Sequence, residues 1–464
     1  MTRQAAPWQR WCGYWRLGLF PSVADPVRRR PGVVVLGYLL VCGTATGAVL
    51  LRTPSALTTL WAEDGTVFLP SARASGCAAL VTPYAGYLNA LPRLYACAVA
   101  RAPLDQTALL FGTLAALTMG GAAAMVVRAS RHLVPALTLR LALAGVLVLS
   151  PLSGNDVAGA VTNVQWVLLV VCFWVLLWRD QVVCSIVAGL VALAATTTCP
   201  LTLVLAPLAL ARFLLCRRLL ERIVPVAYAL GALAQVAAIA STTRARPMLH
   251  PRVSDLVVSF LARVCTVGVL GPTWAGRALG SAETVTLLVA GLGLGVVLVL
   301  GWVTASKPER RAPLVLTAST CVALYLVTVV RVWNPLLGYG DASRNLVFAN
   351  RYFFAPVALL WVLVALAAQE CLAACAMWHF RGRRGLLLSM PAAAYLIALG
   401  LLFAVGVVRD GRLSSAQRVG VPGWRPEVQA GLRACRTGAA SVELRFAPPG
   451  YAQRLTCPQL AAAS

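Results

Sequence analysis

The residues best suited to chemistry in this chain fall in four short stretches. The first is Leu60-Trp61-Ala62-Glu63-Asp64-Gly65-Thr66-Val67-Phe68, where two adjacent carboxylates sit among apolar and aromatic neighbours. Such a pair is costly unless it is solvated or used. Like charges side by side raise one pKa, which suits a general base, and Gly65 allows a backbone turn that aims one carboxylate into a cleft. The alternative is a helix N-cap, with Asp64 or Glu63 opening a helix over 65–75. The second stretch, 83–94, brings Tyr84, Tyr87, Asn89 and Arg93 together at an expected membrane interface. Tyrosines at that depth are often belt residues. Arg93, inside an apolar segment, needs an anion: a phosphate or diphosphate, or else Glu63 or Asp64. In the third stretch, 153–166, Asn163, Gln165 and Trp166 stand at the mouth of a helix. Amides beside an indole face suit a hydroxyl-rich ligand; the same residues also read as a polar turn with a cap at Asn163 and an interfacial Trp166. The fourth, 341–356, places Arg344, Arg351 and Tyr352 at the end of an expected span, where an arginine clamps a lipid phosphate or simply snorkels.

Other signatures are missing from the sequence. It has no phosphate-binding P-loop, no G-x-S-x-G elbow, no H-E-x-x-H and no paired C-x-x-C. Three histidines leave little material for a His-rich metal site. No cofactor is expected, and a divalent metal is not indicated.

The elements that must position these residues follow from composition. Of 464 residues, 59% are hydrophobic and 12% charged, with a mean hydropathy of +0.79. Soluble domains carry about 25% charged residues, so a water-soluble globular protein is excluded, as is a disordered chain. Nucleic-acid binding is disfavoured despite a net charge of +25, because the apolar excess needs lipid. All but one of the 40 basic residues are arginine, the exception being Lys307. A bilayer core about 30 Å thick takes about 20 apolar residues of helix. Runs of that kind occupy 33–51, 106–127, 133–150, 163–178, 181–198, 201–215, 223–241, 284–303, 314–331, 352–372 and 386–408. Segments 86–101 and 255–271 are apolar but carry Arg93 and Arg263, and read as membrane-hugging or partly inserted. The fold class is therefore an all-α polytopic membrane protein with about 11 spans, in a range of 10–13.

Arg28–Arg30 precede the first span without a cleavable signal or a lipidation motif, which sets residues 1–32 as a cytoplasmic amphipathic N-terminus. Short basic loops and parity then assign 33–408 to the membrane domain, with a first external loop at 52–105, and 409–464 to a short extracytoplasmic tail. Most of the 14 cysteines sit in apolar runs and act as small hydrophobes. Cys435 and Cys457 lie in the polar tail, where a disulfide can form if the tail is outside the cell membrane.

This layout of one span, an external acidic pair, many further spans and an extracytoplasmic tail resembles the GT-C superfamily of integral-membrane glycosyltransferases. The segments W-A-E-D-G-T-V-F-L, P-Y-A-G-Y-L-N-A-L-P-R-L, N-V-Q-W and R-Y-F-F-A-P look like an uncharacterised bacterial multi-pass group placed near those enzymes. The resemblance implies a GT-C-like fold in a bacterial inner membrane and a polyprenyl-phosphate-linked or polyprenyl-diphosphate-linked sugar donor. The acceptor would be an envelope glycan or lipid. It also implies that Asp64 is the base, with Glu63 as the alternative. The tail is shorter than the soluble domain of many members, and the acids are adjacent rather than a spaced D-x-D. On this reading Arg93 and Arg351, with Arg344, hold the donor phosphate, while Asn163, Gln165 and Trp166 orient sugar. A transporter or flippase of lipid-linked glycans, a glycan polymerase or ligase, and a non-catalytic scaffold are the rival readings.

Overall fold

The computed structural model describes residues 7–21, 31–153, 157–179, 182–216, 218–242, 251–333, 346, 350–378, 384–410 and 418–463. Among the described residues the chain is an all-α bundle with one small hairpin. Its helices run α1 (Pro7–Leu19), α2 (Pro31–Arg52), α3 (Leu69–Ser75), α4 (Ala90–Val99), α5 (Thr107–Ala129), α6 (Leu137–Leu149), α7 (Val164–Leu177), α8 (Val182–Thr198), α9 (Ala206–Leu215), α10 (Leu219–Ala240), α11 (Val253–Ser259), α12 (Val267–Thr304), α13 (Ala312–Val332), α14 (Arg351–Trp378) and α15 (Arg384–Asp410). After these come α16 (Trp424–Arg436), strands β1 (Ser441–Phe446) and β2 (Tyr451–Thr456), and α17 (Cys457–Ala463).

Among the described residues, seven helices are long and apolar enough to cross a membrane: Gly32–Arg52, Leu104–His132, Leu219–Ala240, Val253–Thr304, Pro308–Arg331, Arg351–Cys375 and Ala392–Asp410. Four other expected spans appear as shorter apolar helices, Leu137–Leu149, Val161–Leu177, Val183–Thr198 and Pro200–Leu215. Of these only α7 is enclosed by protein; the others leave Leu141, Leu190 and Leu214 exposed. All 14 residues of α7 are buried, and its apolar sequence on every face is what a fully enclosed helix requires. α7 packs on α14, whose residues 353–367 are also buried, and the two form the axis of the bundle.

The two marginal segments differ. Segment 86–101 yields only the ten-residue α4. Segment 255–271 is continuous with the following span: α11, a π-helical stretch Phe260–Thr266 and α12 form one broken rod. The rod breaks at Gly271 (φ 76°) and again at Ala282. Gly271 must be glycine, because its φ is left-handed and a Cβ there would strike the Asp410 carboxylate.

One end of the bundle carries α1. Arg179 donates to the Phe20 carbonyl at 2.6 Å and pairs with Glu221 at 2.5 Å, while Arg310 faces Glu370 at 3.6 Å. The glutamates of both pairs are buried rather than solvated. At the opposite end, segment 53–105 and the tail share a second core. Leu60, Phe68, Leu69, Phe111 and Val161 pack with Trp424, Val428, Leu444, Phe446 and Leu460. Cys435 and Cys457 are disulfide-bonded, joining α16 to α17. A second disulfide, Cys77–Cys97, ties the turn before α4 to that helix. The ten other cysteines are free.

Candidate functional site

The acid pair lies where the first loop meets the tail. A π-helical turn, Asp64–Phe68, begins directly after Glu63, a geometry that recurs at functional sites. It is fixed from the tail side. Ala447 donates its N–H to the Leu60 carbonyl at 3.0 Å, and Trp424 donates to the Thr58 carbonyl at 2.6 Å. A Cβ on Gly65 would lie 2.9 Å from the Phe446 ring, so glycine is required for the hairpin to seat.

The two carboxylates have opposite surroundings. Asp64 is 1% exposed. Its oxygens accept from the Val161 N–H (3.2 Å), the Thr162 N–H (3.0 Å) and the Thr162 hydroxyl (2.5 Å). Burial pushes its pKa up to about 6; the Thr162 hydrogen bonds oppose that rise, the Glu63 charge adds to it, and Arg418 pulls it back down. Neither Glu63 nor Asn163 caps its own helix with its side chain. Instead Asp64 caps the turn that opens α7 from a distant part of the chain, using the positive end of the helix dipole. Arg418 supplies the counter-charge. It is buried, donates to the Thr59 carbonyl (2.8 Å), the Thr59 hydroxyl (2.7 Å) and the Gly159 carbonyl (3.0 Å), and its Cζ lies 5.0 Å from the centroid of the Trp61 ring. Burial lowers its pKa to about 10, with Asp64 acting in the other direction.

Glu63 differs: among the described residues its buried Oε2 finds no hydrogen-bond partner. Its charge reaches Tyr84 and Tyr87. Burial raises the Tyr84 hydroxyl, and Glu63 raises it further. Burial pushes Tyr87 up to about 12, a hydrogen bond with Gln165 opposes that, and Glu63 adds to the rise. The two tyrosines are held by a tight turn, Tyr84 N–H to Tyr87 O at 2.7 Å and Tyr87 N–H to Tyr84 O at 3.1 Å. Within it Ala85 has φ 54°, the sole positive φ at a non-glycine among the described residues, and Gly86 follows at 86°. Backbone strain of this kind concentrates at functional sites. The loop is pinned from behind by Gln235, which accepts from the Leu88 N–H at 3.0 Å, and by Thr198, which accepts from the Leu91 N–H at 3.1 Å.

The other sequence-derived candidates join this group with one exception. Trp166 stacks edge-on against Tyr352 with centroids 5.5 Å apart, and the Arg351 Cζ lies 5.2 Å from the Tyr352 ring centroid. The Arg351 charge also acts on Tyr84. Arg93 is buried with its Cζ 5.4 Å from the Phe68 ring centroid, and Phe68 in turn contacts Tyr84 at 5.4 Å. Asn163 and Gln165 are buried at the start of α7. Arg344 lies outside the described residues.

Among the described residues, several buried polar atoms here have no hydrogen-bond partner: Glu63 Oε2, Arg93 Nε and Nη1, both side-chain polar atoms of Asn89, and the Trp166 indole nitrogen. Each such group costs about 1–3 kcal/mol if left unmet, and clusters of them call for an explanation. A carboxylate, two cationic side chains, amides and ring faces can together take a proton, hold an anion and orient a hydroxyl-rich molecule. Among the described residues no group of three or more His, Cys, Asp or Glu is placed to hold a metal ion. Thr162, Arg418 and Phe446 were not legible as site residues. Thr162 carried no signal beyond its place beside Asn163, and Arg418 was one tail arginine of many. No protein-family model, curated protein or solved structure matches the chain.

Proposed function

We propose that this protein is a GT-C-type membrane glycosyltransferase of a bacterial inner membrane. It moves a sugar from a polyprenyl-phosphate-linked donor to an envelope glycan or lipid acceptor on the outer face. Eleven crossings put the N-terminus in the cytoplasm and the tail outside. The observation that carries the reading is that Glu63, with its Oε2 buried and no hydrogen bond to it among the described residues, acts electrostatically on Tyr84 and Tyr87, while the buried Arg93 reaches Tyr84 through Phe68 and the Arg351 charge also acts on Tyr84.

The general base is assigned to Glu63 rather than to Asp64, whose oxygens are already engaged by Val161 and Thr162. The Glu63 carboxylate takes the proton of an acceptor hydroxyl. The acceptor oxygen bonds to the anomeric carbon as the bond from that carbon to the phosphate oxygen breaks, with inversion. The phosphate leaves with the electron pair, and Arg93 and Arg351 stabilise its charge, an electrostatic contribution that grows where water is excluded. Gln165, Trp166, Tyr84 and Tyr87 orient the sugar, with Tyr352 supporting the indole.

Genetic complementation tests this. In cells lacking the gene, the wild-type copy restores a missing envelope sugar and Glu63→Gln does not, although both proteins reach the membrane in equal amounts. Full restoration by Glu63→Gln removes the assigned base.

A further inference from the structure

The tail hairpin ends beside the acid pair, and it brings one aromatic side chain that the site has not used. β1 and β2 pair antiparallel with Phe446 opposite Tyr451. Directly opposed residues share a face of the sheet, and the two rings are 6.5 Å apart, tilted by 40°. Phe446 is buried against Gly65. Tyr451, across the strand pair from it, is 42% exposed. β2 packs on segment 64–68, and Ala447 pairs with Trp61. Tyr451 is also close enough to Tyr84 to act on its hydroxyl. The hairpin therefore packs beside Glu63 through segment 64–68, with a partly exposed aromatic ring on the face it shares with Phe446.

We infer that Tyr451 is the platform on which a carbohydrate acceptor stacks. The class of ligand follows from the chemistry: a ring face with a hydroxyl tip, within reach of Tyr84, offers apolar contact and hydrogen bonding to a sugar ring. The acceptor rather than the donor follows from position. The arginines assigned to the donor phosphate lie on the bundle, on α4 and at the start of α14, whereas Tyr451 belongs to the tail. This inference rests on the glycosyltransferase reading.

The test uses purified full-length protein in nanodiscs, a polyprenyl-phosphate-linked radiolabelled sugar and oligosaccharides released from the cell envelope. Tyr451→Ala is expected to raise the acceptor KM about tenfold, with kcat and the donor KM within about twofold, and Tyr451→Phe to restore the acceptor KM. An unchanged acceptor KM in Tyr451→Ala overturns the inference while leaving Glu63 its role. Saturation-transfer NMR of the same oligosaccharides reads binding without turnover. If wild type shows no transfer, the enzymatic reading fails, and the sugar contact is judged separately. Signals lost in Tyr451→Ala and kept in Tyr451→Phe support it, and equal signals in all three proteins overturn it.

Discussion

Adjacent acids can serve different ends when their neighbours differ. Asp64 is closed off by Thr162, Val161 and the charge of Arg418, while Glu63 keeps an oxygen unpaired beside Tyr84 and Tyr87. This makes a pH dependence calculable in sign. The folded pKa of Asp64 is about 6, above its ordinary 3.8. The folded protein thus binds this proton more tightly than the unfolded chain. The contribution of Asp64 to stability is fully present below about pH 4 and is lost as pH rises through about 6, by up to about 3 kcal/mol. Protease release of the tail from full-length protein is expected to be slower at pH 4.5 than at 7.5, and Asp64→Asn to flatten that difference. Removing Arg418 deprives the buried carboxylate of its counter-charge. Arg418→Ala also removes its hydrogen bonds to Thr59 and Gly159 and is expected to cost about 1–3 kcal/mol, read as tail release at lower denaturant. The sequence exposed the acid pair and its tyrosines because charge is rare in an apolar chain. It did not divide their roles, because the deciding partner, Thr162, is about 100 residues away.

At the scale of elements, the long spans were legible because α2, α5, α10, α13 and α14 are apolar over membrane length. The docking of the tail was not. Trp424, Val428, Leu444, Phe446 and Leu460 are single apolar residues in a polar stretch, and only the fold gathers them on Phe68 and Leu104. Nor did the periodicity show that α7 is capped from another loop. Gly65 carries the fit between loop and hairpin. Gly65→Ala forces its Cβ against Phe446, and overpacking of this kind costs about 1–3 kcal/mol. The expected outcome is faster proteolysis of the 441–456 hairpin with unchanged membrane insertion, and Gly65→Ala combined with Phe446→Leu should recover part of the loss.

For the whole molecule, both disulfides lie at one end of the bundle, with Glu63, while Arg179, Glu221, Arg310 and α1 mark the other. Disulfides persist in oxidising compartments, so the proposed orientation, with the tail outside, requires both to form in the cell. A thiol-reactive mass tag on intact cells, followed by non-reducing peptide mapping, is expected to find Cys77 linked to Cys97 and Cys435 to Cys457. Composition made the membrane class plain, but the shared core of loop and tail needed the folded chain. The proposed role of Glu63 as the base of glycosyl transfer is tested most directly by transfer, with purified protein, from a polyprenyl-phosphate-linked labelled sugar to envelope acceptors. Wild type is expected to form product and Glu63→Gln at least 100-fold less, within the ~10²–10⁴ range of general-base catalysis, with unaltered thermal stability. Transfer by Glu63→Gln at the wild-type rate contradicts the account, as does labelled lipid crossing liposome membranes without any transfer.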